Sequence, residues 1–210
     1  MLRRFVMGLA MVMAAGFAQA QPALGVEYVE LSAAQAVESP GKIEVLEFFS
    51  YLCPHCYAFE APLKPWVKKL PKNVQFRRVP AMFSDDYAQA ARAYYALEAI
   101  GELERLHSAL FDAVHTATRL RITNEAALTE WLGTKKFTAA YRSFSVESKL
   151  KRAAQLTQTY KIDGVPSMAV NGKYVVITDN MKSEEQLLSV ADYLVERARK
   201  DGVSAAAKKK

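Results

Sequence analysis

From Lys42 to Phe49 the chain reads KIEVLEFF, a mostly apolar run broken by Glu44 and Glu47, which predicts a buried strand. Ser50, Tyr51 and Leu52 lead from it into Cys53-Pro54-His55-Cys56. Tyr57, Phe59, Leu63, Trp66, Val67 and Leu70 then recur at helical spacing. Pro62 and Pro65 fall inside that pattern and are expected to kink the helix or shift its boundaries. Pro71-Lys72-Asn73 is a turn, and Val74 to Val79 alternates weakly as a second strand.

From Met82 to Tyr160 the pattern becomes helical throughout, as in DDYAQAARAYYALEAIG and ELERLHSALFDAVH, and Gly101 and Gly133 fit helix ends. A crossover between two strands needs only about a dozen residues, so most of this stretch is a helical insertion, placed as a cap beside the sheet. Strands return in Ser167 to Val170 and Lys173 to Ile177, joined by Asn171-Gly172, a strong hairpin signal. Ser183-Glu184-Glu185-Gln186 is a capping box opening an amphipathic helix through Leu187, Leu188, Val190, Leu194 and Val195. The order predicts an α/β fold with a mixed central sheet flanked by helices.

The ends carry other information. Arg3 and Arg4, the apolar run Phe5 to Phe17, and Ala18-Gln19-Ala20 form the three parts of a secretory signal peptide with cleavage after Ala20. The run is shorter than the roughly 20 apolar residues of a spanning helix. Export as a soluble protein is therefore expected. The domains follow: signal peptide 1–20, first sheet portion 21–82, helical insertion 83–156, second sheet portion 157–200, and a disordered tail 201–210. The formal net charge of +6 includes Arg3 and Arg4, and three more positive charges sit at Lys208, Lys209 and Lys210. No basic stripe interleaved with aromatics remains, so nucleic acid is not an expected partner.

The two cysteines are three positions apart, and so short a loop restrains the unfolded chain very little. Their spacing asks for a chemical reason. Proline suits the first helical position, so Pro54 makes Cys53 the N-cap of the following helix and Cys56 its third residue. A thiolate at the N-cap is stabilised by free N–H groups and by the positive helix end, and a protonated His55 adds to this. Cys53 is thus predicted to be the exposed, low-pKa sulfur and Cys56 the buried resolving one. A stabilised Cys53 thiolate also makes the pair oxidising, because Cys53 becomes a good leaving group.

Rival readings of the motif are weaker. Structural zinc needs about four ligands; His107 and His115 lie in a helical pattern and read as surface or packing residues, so no metal is expected. Covalent haem requires histidine directly after the second cysteine, where this chain has Tyr57. Two further elements stay open on residues alone. Gly164-Val165-Pro166-Ser167 is either a turn device before a strand or a cis Val165–Pro166 bond beside the sulfurs, with the Val165 backbone offered to an extended substrate. Glu47 either faces water at a strand edge or lies beneath the sulfurs with a raised pKa, exchanging protons with Cys56.

Taken together, VLEFFSYLCPHCYAFE (45–60), GVPSM (164–168) and VNGKY (170–174) resemble the DsbA family of bacterial periplasmic dithiol oxidases. The resemblance implies a thioredoxin fold with a large inserted all-helical domain. It implies that Cys53 exchanges with substrate, Cys56 resolves, Pro54 and His55 tune the pair, and Pro166 is cis. The redox agent would be the Cys53–Cys56 disulfide, with no separate cofactor. The implied partners are reduced, unfolded exported proteins and a DsbB-type, quinone-linked oxidase of the inner membrane; a monomer is expected. In the family the counterpart of Glu47 pairs with a buried lysine on the next strand. The matching position here is Arg78, which holds its proton far more firmly, so a relay through Glu47 and Arg78 is in question. Two alternatives share the motif: a thioredoxin-fold reductase or isomerase, for which residues 21–41 are too short to form a dimerisation domain, and a periplasmic metal carrier using the two thiolates.

Overall fold

The computed structural model describes residues 21–207 except Ala117 and Asn180, with side chains as far as Gly202. The expected signal peptide and Lys208–Lys210 lie outside the described residues. Among the described residues five strands form one mixed sheet in the order β1-β5-β4-β2-β3. They are β1 (Tyr28–Glu30), β2 (Ile43–Phe49), β3 (Val74–Pro80), β4 (Ser167–Val170) and β5 (Tyr174–Val176). Seven helices accompany them among the described residues: α1 (Pro54–Lys69), α2 (Asp85–Ala99), α3 (Leu103–His115), α4 (Glu125–Leu132), α5 (Lys135–Tyr141), α6 (Phe144–Thr159) and α7 (Glu184–Ala207).

All seven residues of β2 are buried. The strand is flanked by parallel β3 and antiparallel β4, which explains a run with little alternation: neither face meets water. Ile43 and Val45 pack with Phe59 and Leu63 of α1 and with Leu187 and Leu194 of α7. Leu46 and Phe48 join the other core, with Ala93 and Leu97 of α2 and Leu156 of α6. The helical block therefore shares a core with the sheet instead of only capping its side. Helix α6 runs three residues past the expected boundary at 156.

The hairpin forms as its turn chemistry demands. Asn171 and Gly172 both have positive φ (54° and 68°), and the Lys173 N–H donates to the Val170 carbonyl at 3.1 Å. Gly172 has a second reason to be glycine, since a Cβ there would lie 2.1 Å from the Gln35 carbonyl oxygen. Ser183 caps α7 by accepting from the Gln186 N–H at 3.3 Å. The reciprocal bond of the capping box reaches the Lys182 N–H instead of the cap's own.

Two expectations need correction, and one strand had not been foreseen. Helix α1 is a single helix from Pro54 to Lys69 with Pro62 and Pro65 inside it, so neither proline moves its ends. The tail from 201 was expected to be disordered, yet α7 continues through Ala207. Asp201 there accepts from the Lys173 ammonium at 3.1 Å and from the Tyr174 hydroxyl, which ties the helix back to β5. Strand β1, which has no periodic signal of its own, pairs antiparallel with β5 at the sheet edge.

Candidate active site

Because β2 and β4 are antiparallel, the exit of β2 lies beside the entrance of β4. Phe48 pairs with Ser167. The turn after β2 carries Cys53, and the residues before β4 are Val165 and Pro166. Segments 112 positions apart are thus brought together by register alone. The Val165–Pro166 bond is cis, and the Cys53 thiol donates to the Val165 carbonyl at 3.2 Å.

Cys53 is the N-cap of α1, with extended backbone (φ −91°, ψ 115°) and Pro54 in the first turn. Its Sγ accepts from the Cys56 N–H at 3.3 Å. The thiol pKa falls from 9.0 to about 6. Hydrogen bonding by the Cys56 thiol is the main cause; it outweighs partial burial, and the Cys56 and His55 backbone N–H groups and the His55 charge add to it. Cys56 is pushed strongly the other way, by burial first and then by its proximity to Cys53. Both cysteines are free thiols; Cys56 is fully enclosed, and Cys53, expected to be exposed, is itself buried at 7% exposure. One turn of helix separates a sulfur that ionises easily from one that resists ionising.

Glu47 lies beneath them, buried at the centre of the sheet. Burial raises its pKa to about 8, against the pull of Arg78. Arg78 is its register partner on β3 and brings Nε to 3.0 Å. That contact is close in distance but not aligned as a hydrogen bond, so among the described residues Glu47 Oε2 and Arg78 Nε have no hydrogen-bond partner. The Arg78 Nη2 instead donates to Glu60 of α1 at 2.9 Å. Burial alone would raise the Glu60 pKa, but His107 and Arg78 outweigh it and hold the carboxyl at about 2. The floor is therefore one cation between two carboxylates, one favoured neutral and one firmly ionised.

Sequence reasoning assigned no role to Glu60, His107 or Tyr51. Glu60 stands four residues after Cys56, on the same helix face, and that spacing was a usable signal. His107 had none, because its neighbours come from distant segments. It is buried, and burial lowers its pKa. Its Nε2 lies 3.3 Å from Glu60 and its Nδ1 2.7 Å from the Tyr51 hydroxyl. A carboxylate only accepts, so the neutral ring donates from Nε2 and accepts the tyrosine O–H at Nδ1. His115 is half-buried, with Nε2 2.8 Å from the Tyr51 carbonyl. The reading of both as surface or packing residues thus misses specific polar roles. His55, in contrast, is exposed and lines a cavity of about 210 Å³ with Phe59, Pro166, Met181 and Leu187.

Comparison with known proteins places this arrangement. The DSBA-like thioredoxin domain family matches residues 71–189, a span that begins after the cysteine motif. Longer likenesses cover the motif as well. The thiol:disulfide interchange protein DsbA of Pseudomonas aeruginosa is 39% identical over 217 residues, covering 99% of this chain and 100% of that protein. Its counterpart in Azotobacter vinelandii is 44% identical over 181 residues, covering 84% of each. Among solved structures, Pseudomonas aeruginosa DsbA superposes with a TM-score of 0.77 at 39% identity, covering 88% of this chain and 95% of that one. The oxidoreductase DsbA from Xylella fastidiosa gives 0.79 at 34% identity, covering 86% and 99%.

Proposed function

We infer that this chain, which belongs to the DsbA family of thiol:disulfide interchange proteins, works as a dithiol oxidase that donates the Cys53–Cys56 disulfide to reduced proteins. It is a thiol–disulfide oxidoreductase, and its redox agent is the cysteine pair itself. The observation that carries the direction of transfer is the position of Cys53 at the mouth of α1, with its pKa lowered to about 6.

The reaction runs in two exchanges. A substrate thiolate attacks Cys53 Sγ, the Cys53–Cys56 bond breaks, and Cys56 leaves with the electron pair. The buried Cys56 sulfur strongly favours its protonated form, so it takes up a proton at once. Glu47, which retains its proton up to about pH 8, is the nearby group suited to supply it. Arg78 sets the charge of that floor and does not itself pass protons. The substrate's second thiolate then attacks the substrate sulfur of the mixed disulfide and expels Cys53, which leaves readily as a stabilised thiolate. Two electrons have moved from substrate to enzyme, and the substrate holds the disulfide.

The cis loop supports the first exchange. When Cys53 binds a substrate sulfur it no longer donates to the Val165 carbonyl. That carbonyl is then available to an amide of an extended substrate, in the manner of strand addition. Pro54 opens the helix and His55 contributes its backbone N–H and charge to Cys53. We place the reaction in the periplasm after removal of residues 1–20, with reoxidation by a DsbB-type membrane partner; membership of the DsbA family and the prefix pattern support this.

The test is the equilibrium potential of the Cys53–Cys56 pair against glutathione, together with disulfide transfer to a reduced, unfolded protein. An oxidising pair that transfers its disulfide is expected. A potential near the roughly −270 mV of thioredoxin would turn the assignment to a reductase.

A further inference from the structure

Two tyrosines flank the cysteine motif, and one helix of the inserted block holds both. His107, Phe111 and His115 recur every four residues along α3 and so share a face. Tyr51 lies against that face: its hydroxyl meets His107 at 2.7 Å, and its ring packs edge-on against Phe111 with centroids 4.8 Å apart. The His115 imidazole reaches the Tyr51 carbonyl at 2.8 Å. A carbonyl only accepts, so His115 carries a proton on Nε2. The same imidazole stacks on Tyr57, 5.1 Å between centroids and 12° from parallel. The Tyr57 hydroxyl in turn donates to Asp112 at 2.8 Å.

We propose that His115 is a positioning residue of the redox centre, holding the Tyr51 carbonyl so that the turn delivers Cys53 Sγ onto the Cys56 amide. This rests on Cys53 being the stabilised thiolate. The turn from Ser50 to Cys53 is held locally by the Leu52 N–H on Ser50 Oγ and the Cys53 N–H on the Ser50 carbonyl, both at 3.1 Å. Those bonds fix the shape of the turn but not its tilt relative to α1. The His115 bond reaches the turn from a separate helix and fixes the plane of the Tyr51–Leu52 peptide, one residue before Cys53. An N-cap hydrogen bond depends on angle as well as distance, so releasing that peptide weakens the contact that stabilises the thiolate. The inserted block thereby sets part of the oxidising power of the pair.

The experiment measures the glutathione equilibrium and the Cys53 pKa, the latter by thiolate ultraviolet absorbance, for the wild type and three His115 variants. His115→Ala removes the bond and the stack; His115→Phe keeps an aromatic ring without the donor; His115→Gln keeps an N–H donor without the ring. Loss of one hydrogen bond predicts a roughly two- to tenfold shift of the equilibrium toward a less oxidising pair, with a raised Cys53 pKa, in the Ala and Phe variants. The Gln variant is expected to stay near the wild type. A Phe variant that matches the wild type, or a Gln variant that falls with Ala, overturns the proposal. Nitrogen NMR of the wild type is independent of how the variants fold: a neutral His115 protonated on Nδ1 overturns it, and Nε2 protonation supports it. A wild type whose Cys53 titrates as an ordinary cysteine refutes the functional reading itself, and the proposal with it, before any substitution is made.

Discussion

The mouth of α1 and the floor beneath it are made of similar material and behave in opposite ways. At the mouth, Cys53 receives a hydrogen bond from the Cys56 thiol together with backbone N–H donors, and its pKa falls to about 6. On the floor, Cys56 and Glu47 are enclosed, and burial drives both toward their protonated forms. The difference shows that neither residue type nor sequence distance sets the chemistry. What matters is whether desolvation is compensated by donors. An oxidase needs both regions, one to stabilise the released anion and one to hold a proton for the sulfur that leaves.

The most severe way to break this contrast is to remove its two sulfurs in turn. Cys53→Ala is expected to reduce disulfide transfer to background, whereas Cys56→Ala should accumulate mixed disulfides visible on non-reducing gels. Equal trapping by both variants would show that the sulfurs are interchangeable. Next in size, Arg78→Met leaves Glu47 and Glu60 without their shared cation, and breaking a buried pair on one side costs about 3–5 kcal/mol. Denaturant unfolding measures this; a loss under about 1 kcal/mol, the range of exposed pairs, would mean that the floor is effectively solvated.

A smaller effect is expected at the mouth. His55→Ala keeps the backbone donor but removes the side-chain charge, and should make the pair roughly three- to tenfold less oxidising, each tenfold being about 30 mV. An unchanged potential would leave the Cys56 thiol and the backbone N–H groups as the whole source of stabilisation. The smallest effect is a slope. Cys53 has a depressed pKa, so the stability it lends the reduced protein is full above pH 9.0 and disappears as pH falls through about 6. Glu47 has a raised pKa, so its contribution is full below 4.5 and is lost as pH rises through about 8. The two slopes oppose each other in reduced protein, and forming the disulfide removes the first. Glu47→Gln should abolish the decline between pH 4.5 and 8 in the oxidised protein; a variant with the wild-type slope would assign that decline elsewhere.

Several parts of this site were legible along the chain because they obey local rules. A proline after a cysteine fixes an N-cap, Asn171-Gly172 fixes a hairpin turn, and a mostly apolar run fixes a central strand. Glu60 was legible in principle through its helical spacing from Cys56. β1 was not, because three residues at a sheet edge gain their conformation from pairing with β5 rather than from their own pattern. His107 and His115 could not be read either, since a histidine in an amphipathic helix gives no sign of which loop its ring will meet.

The sequence alone determined the order of elements from β2 onward and the placement of Cys53 at a helix start. Those depend on capping and periodicity, which act over a few residues. Tertiary structure decided that Val165 would face Cys53, that Arg78 would stand between two carboxylates, and that α3 would grip the turn before the cysteine. Each of these depends on strand register or on helix packing across long separations, where contact is set by how whole elements fill space.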